Sequence, residues 1–153
     1  MRKPARHRNS AAIWDDQLLE ELFRDPLSDS LRMLILRDMA LIADDAGRAP
    51  LATLAQRFRN FFAKRQQEGK REERDEVLAS RGALSQRSLE SWHKFISEHV
   101  LAEVSDFVLA EEERLAFRPE LWARWSPGFR KALRNIAETR LIEYFETRVE
   151  GGW

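Results

Sequence analysis

The chain has 153 residues, with 26 basic and 26 acidic side chains and no cysteine. This length predicts one domain that buries roughly 70% of the surface of its unfolded chain. The lack of cysteine excludes disulfides, cysteine-rich zinc sites and a thiol nucleophile.

The charges are distributed unevenly along the chain. Residues 1–9 carry four basic and no acidic side chains, and residues 47–94 carry 11 basic and 6 acidic ones. Acidic residues outnumber basic ones nine to three in residues 10–46 and 11 to 8 in residues 95–153. A net charge of zero opposes indiscriminate binding to polyanions, whereas the basic central third favours a local positive field.

No segment predicts a membrane span or a secretion signal. The longest apolar stretch, MLILRDMALIA, is broken by Arg37 and Asp38 after four residues, and a bilayer requires roughly 20. The basic start MRKPARHRNS leads into the acidic AAIWDDQLLEELF, which is not an apolar signal core. We therefore expect a cytoplasmic protein that does not contact membranes.

Residues 1–9 predict a disordered basic arm, and residues 10–153 predict a single helical domain. The arm has no large apolar side chain after Met1 that would order it. It is either a solubilising tail or a contact to an anionic surface such as the DNA minor groove, made by its four basic residues, Arg2, Lys3, Arg6 and Arg8.

Apolar side chains at helical spacing predict three helices in the first half of the domain. The first ends at Pro26. The second follows the DPLSDS turn, ends at Gly47 and is apolar on most of its circumference, so we expect it to be the most buried. The third opens with Pro50 and ends at Gly69.

The next stretch, GKREERDEVLASRG, is the most polar part of the chain and predicts a mobile loop with one possible short helix at 72–79. Ser85 is then the expected cap of a further helix, whose apolar residues recur at helical spacing (Leu89, Trp92 and Ile96). The opposite face of that helix carries Arg87, Ser91 and Lys94.

Residues 100–118 predict a β-hairpin. Valine and phenylalanine cluster between Val104 and Val108, the polar EEER supplies a turn, and Arg118 precedes a proline, which favours extended backbone. The same stretch also satisfies helical spacing, so a continuous helix is the alternative. A last helix begins at Ser126 and runs to about Val149. The predicted fold class is mainly α, a helical domain with a short hairpin and a long C-terminal helix.

This order of elements resembles the winged-helix variant of the helix-turn-helix domain, over about residues 50–125. The resemblance rests on element order and on no diagnostic motif. It implies that the 85–97 helix enters the DNA major groove, with the hairpin beside it as a wing.

The resemblance also implies a set of DNA contacts. On the 85–97 helix, four side chains would reach base edges: Gln86, Arg87, Ser91 and Lys94. The phosphate contacts would come from Lys70, Arg71, Arg81 and the arm. A solvated helix face is the alternative reading. It is favoured by Glu90 on the same helix, by the acidic turn at residues 111–113, and by the position of Ser85, 16 residues after Gly69, where a turn of 3 or 4 residues is expected.

No catalytic motif is present. His93 and His99 lie six residues apart, on different helix faces, so they do not chelate a metal together. The Asp44-Asp45 pair is typical of a polar helix end, and no glycine-rich phosphate loop occurs. We expect no enzyme activity, no metal and no cofactor.

Three aromatic residues have two interpretations. Trp122, Trp125 and Phe129 either pack in the core or form an exposed patch that docks a partner.

Two functions follow from the sequence. One is a DNA-binding regulator, or targeting subunit of a larger system, that binds double-stranded DNA. The alternative is a helical interaction subunit or adaptor that binds a protein partner or a second copy of itself.

Overall fold

A computed structural model of the chain describes residues 30–73, 77–78, 82–123 and 127–146. Over these ranges the fold is mainly helical with a small antiparallel sheet, as predicted. The basic arm and the predicted first helix lie outside the described residues.

The elements are, in chain order, α1 Leu31–Ile42, β1 Arg48–Pro50, α2 Leu51–Gln67, a 3-10 turn Leu84–Gln86, α3 Leu89–Phe95, a π turn Ile96–Val100, α4 Leu101–Glu103, β2 Val108–Glu111, β3 Arg114–Phe117, α5 Pro119–Trp122 and α6 Pro127–Tyr144.

Helix α1 forms the centre of the core, as its apolar circumference predicted. Four consecutive side chains of this helix, Met33 to Leu36, are fully buried, because α1 packs against both α6 and α2. Within the described part of the chain, no helix is sufficiently long and apolar to cross a membrane.

The segments α3, the π turn and α4 follow one another without a break, and we call them together the 89–103 helix. Its buried side chains Trp92, Ile96 and Val100 recur every four residues. In an α-helix this spacing drifts around the axis by about 40° per repeat. The wider π turn absorbs that drift and keeps all three side chains in the core.

The predicted hairpin is present, and a third strand joins it. Strands β2 and β3 are antiparallel, and β1 pairs with the other edge of β3, which gives the order β1-β3-β2. Glu112 and Glu113 form the turn between β2 and β3, and Glu112 adopts a left-handed φ of 55°. The hairpin is shorter than residues 100–118, since Val104 and Phe107 are buried in a turn that precedes β2.

Two adjacent glutamates anchor the described start of the polar segment after α2. Glu73 is fully buried. Its carboxylate accepts the backbone N–H of Ser30 at 2.6 Å and the hydroxyl of Tyr144. Glu72 accepts the backbone N–H of Ser85 at 2.9 Å and its hydroxyl. Each carboxylate therefore binds a distant part of the chain.

Gly47 lies where the loop after α1 meets α5. Its φ is +79°, and a Cβ built on it would lie 2.7 Å from Cδ2 of Trp122. The Trp122 ring is stacked on Phe117 at 5.7 Å, and its indole N–H donates to the carbonyl of Asp45 at 3.1 Å. This position requires glycine for both its backbone conformation and the contact with the indole.

We expect Gly47→Ala to lower the free energy of unfolding by about 2 kcal/mol, because alanine at positive φ is strained and its methyl group displaces Trp122. Gly69→Ala is the matched control, since Gly69 has a φ of +73° and no atom within 4 Å of a built Cβ. The control therefore carries only the backbone cost of about 1 kcal/mol. Urea denaturation measures both losses, and equal losses would contradict the contact with Trp122.

Candidate functional site

The outer surface of the 89–103 helix borders an open groove of about 600 Å³. Helix α2 forms one wall with Ala52 and Ala55, and the other wall is formed by Ser88 to Ser91, His93 and Lys94. The two alanines leave room because their side chains are short. Two predicted base-contacting residues, Ser91 and Lys94, line this groove.

The 89–103 helix is capped by Ser88, not by Ser85 as the sequence predicted. The Ser88 hydroxyl accepts the backbone N–H of Ser91 at 3.1 Å. Ser85 lies in the preceding 3-10 turn and binds Glu72. Both serines precede the apolar run, so the sequence alone did not separate them.

Arg87 packs against the core instead of projecting into solvent. Its Nη1 donates to the Ser91 hydroxyl at 2.9 Å. Its guanidinium carbon lies 4.2 Å from the ring centroid of Phe95 and 5.5 Å from that of Trp92. The charge is thus held over aromatic rings, a favourable position for a guanidinium. Arg87 can therefore orient Ser91.

The other predicted contact residues are spread over several places. Gln86 is exposed at the end of the 3-10 turn, and Lys94 is exposed on the helix. Lys70 and Arg71 are exposed after the far end of α2, where Lys70 lies 3.5 Å from Glu68. The described ranges do not include Arg81 or the arm residues Arg2, Lys3, Arg6 and Arg8.

The predicted aromatic patch is not formed by the two members that the structure describes. Phe129 is only 4% exposed and belongs to the core cluster, because it is on the inner face of α6. Trp122 is half-buried and has its indole N–H bonded to Asp45. Trp125 lies outside the described residues. For Phe129 the core interpretation is therefore the correct one.

The exposed charged side chains of the 89–103 helix, of the turn after it and of the hairpin turn are mainly acidic, and we call this set of residues the 89–114 face. Two of its exposed side chains are cations, Lys94 and Arg114. Its exposed carboxylates number six: Glu90, Glu98, Glu103, Asp106, Glu112 and Glu113. Near the turn, Glu111 accepts a 2.7 Å hydrogen bond from Nε of Arg48, which pairs that carboxylate.

Asp44, one of the carboxylates that the sequence places beside Gly47, shapes a loop. Its Oδ1 accepts the backbone N–H of Ala46 at 2.9 Å and that of Arg48 at 3.0 Å. These bonds, the one from Arg48 above all, lower the pKa of Asp44. Within the described ranges, no three His, Asp or Glu side chains converge as a metal site would require.

Comparison with known proteins identifies no relative of this chain: no family model, no curated protein and no solved structure matches it.

We expect Arg87→Ala to lower the free energy of unfolding by about 1.5 kcal/mol, because it removes a hydrogen bond and the packing of the guanidinium on two rings. Lys94→Ala, on the exposed side of the 89–103 helix, should change the free energy of unfolding by about 0.5 kcal/mol or less. Thermal and urea denaturation measure both. If Arg87→Ala lost as little free energy of unfolding as Lys94→Ala, that result would contradict the packed position of Arg87.

We expect Asp44→Ala to lower the melting temperature at pH 7. The lowered pKa means that the folded state favours the ionised carboxylate. The stabilisation is thus complete above the unfolded-state pKa of about 3.9 and is lost as the pH falls through the lower folded-state pKa. The difference in melting temperature between variant and wild type should shrink as the pH falls below about 4. A difference that stays constant over this range would contradict a role for the ionised form.

Proposed function

We propose that this chain is a winged-helix-like module that docks a protein partner through the 89–114 face. The order helix, strand, helix, helix and hairpin supports the winged-helix interpretation. The pairing of β1 with β3 adds to this support, because it joins the strand after α1 to the hairpin. Winged-helix-like folds serve several functions, so the surface chemistry has to select among them.

The observation that carries the proposal is the charge of the 89–114 face. In a DNA-binding winged helix, this helix and the hairpin turn face the phosphate backbone. Here that surface has six exposed carboxylates and two exposed cations. Such a surface repels phosphate, whereas it complements a protein surface rich in lysine and arginine.

DNA binding through the same helix is the second candidate. It is favoured by the open groove between α2 and the 89–103 helix, which Ser91 and Lys94 line. Lys94 and the exposed Gln86 are residue types that bind DNA bases. Binding in this mode has to overcome the repulsion from Glu90 and Glu98 on the same helix.

We expect the double variant Glu98→Lys, Glu112→Lys to weaken capture of the protein partner by about tenfold or more. The matched control is Glu120→Lys, Glu138→Lys, which makes the same charge change at exposed positions on α5 and α6. The wild type and both variants would be immobilised, and retained proteins quantified by mass spectrometry. A protein retained by wild type and control but lost from the face variant supports the proposal.

Two results would contradict docking at this face. One is equal retention by the face variant and the control. The other is saturable binding of a labelled DNA duplex, measured by fluorescence anisotropy, that is lost in Lys94→Glu and unchanged in the face variant. The second result would support the DNA-binding candidate instead.

A further inference from the structure

A second groove, of about 450 Å³, lies between α1 and α2. We call it the α1–α2 groove. Five basic side chains and one carboxylate, Glu68, line it together with Asn60 and Phe61. The basic residues are Arg37, Arg57, Lys64, Arg65 and Lys70. Two carboxylates balance part of this charge: Glu68 in the groove and Asp38, which is buried behind it. The five cations and two carboxylates together carry a net charge of +3.

Asp38 fixes two of these cations. Its side chain is fully buried, and its Oδ1 accepts bonds from Nε and Nη2 of Arg37, at 3.2 and 3.1 Å, and from Nη2 of Arg57, at 3.2 Å. The Arg37 guanidinium also lies 5.4 Å from the ring centroid of Phe61. The Arg37 and Arg57 side chains remain 18% and 33% exposed. The Asp38 carboxylate therefore orients both guanidinium groups at the groove. The three charged groups together carry a net charge of +1.

The remaining cations continue the positive charge along α2. Lys64 is exposed. Arg65 is held in place, because its Nε donates to the carbonyl of Arg71 at 2.7 Å and its guanidinium lies 3.7 Å from the ring centroid of Phe145. Lys70 pairs with Glu68 at 3.5 Å, but both side chains are about half exposed. Such an exposed pair contributes little stability, so a phosphate can displace Glu68 from Lys70.

The cations follow a line instead of surrounding one point. Arg57 and Lys64 are seven residues apart on one helix, which separates them by about 10 Å along its axis. Each strand of a duplex rises about 3.4 Å along the axis per phosphate, so this distance spans about three steps between phosphates, or four phosphates. A linear polyanion matches such an arrangement better than a single phosphate does. Three of the five cations, Arg37, Arg65 and Lys70, also line a smaller cleft of about 250 Å³ toward α6. Glu138 and Glu146 of that cleft border the positive surface on its α6 side.

We propose that the α1–α2 groove binds the phosphodiester backbone of a nucleic acid, without reading its sequence. The proposal is independent of protein docking at the 89–114 face. The two surfaces diverge around α2, because Ala55 of the first groove and Lys64 of the second are nine residues apart, about 180° around the helix. The acidic face and the basic groove can therefore be occupied at the same time.

The test is a fluorescence-anisotropy titration of the full chain with a labelled 20-nucleotide single strand and with the duplex of the same sequence. Four phosphate contacts predict that affinity for the duplex falls by about 100-fold between 50 and 200 mM salt. Lys64→Glu, Lys70→Glu should abolish binding at 100 mM salt. The single change Lys64→Ala should reduce the salt slope of log K by about 0.9.

Arg59→Glu is the matched control for a single Lys64→Glu, since both residues are exposed on α2 and only Lys64 lines the groove. We expect Arg59→Glu to bind like the wild type and Lys64→Glu to bind at least tenfold more weakly. Circular dichroism confirms that both variants remain folded. An equal loss of affinity in the two variants would mean that binding depends only on the total charge of the protein. That result would overturn the assignment of nucleic acid binding to the α1–α2 groove.

Three further results would overturn the proposal. The first is no binding of either nucleic acid by the wild type at 50 mM salt. The second is displacement of the bound oligonucleotide by micromolar pyrophosphate, which would make the groove a small-phosphate pocket. Loss of binding in Lys94→Glu, with Lys64→Glu unaffected, would also overturn it and would place nucleic acid on the 89–103 helix. None of these results depends on whether the 89–114 face docks a protein.

Discussion

The burial of the Trp92 indole fixes how α2 and the 89–103 helix pack, and both proposed surfaces depend on that packing. Trp92 is fully buried, stacked on Phe62 at 5.6 Å and in edge contact with Phe58 at 5.4 Å and Phe95 at 5.7 Å. Aromatic pairs of this kind contribute about 0.5–1.5 kcal/mol each beyond the burial of their area. With this cluster between the two helices, their polar faces have to point outward, each in its own direction.

The two outward surfaces carry opposite charges. The 89–114 face is acidic and the α1–α2 groove is basic. Their opposite charges are part of the balance that gives the chain a net charge of zero. Total charge alone therefore does not describe what each surface attracts, because a protein's field acts locally and is screened within about 8 to 10 Å. If both proposals hold, the chain is an adaptor that joins a basic protein surface to a nucleic acid backbone.

The sequence predicted what depends on local pattern and did not predict what depends on tertiary contacts. The hairpin followed from its valines and its polar turn, but β1 has only three residues and shows no alternation. The sequence shows that Arg87 is charged, but it does not show that the guanidinium lies over the ring of Phe95. Arg37 and Arg57 are 20 residues apart in the sequence, and only the folded structure shows that both bind Asp38 beside one groove.

The buried carboxylate of Glu73 determines how α6 is placed along α1. It joins the backbone at Ser30, before α1, to the hydroxyl of Tyr144, near the end of α6. Apolar contacts between two helices tolerate a shift by one turn, since one row of leucines resembles the next. A shift of α6 by about 5.4 Å would take the Tyr144 hydroxyl away from Glu73, at the cost of a lost bond to a buried carboxylate. This carboxylate therefore selects one register between two long apolar helices, a choice that hydrophobic packing alone leaves ambiguous.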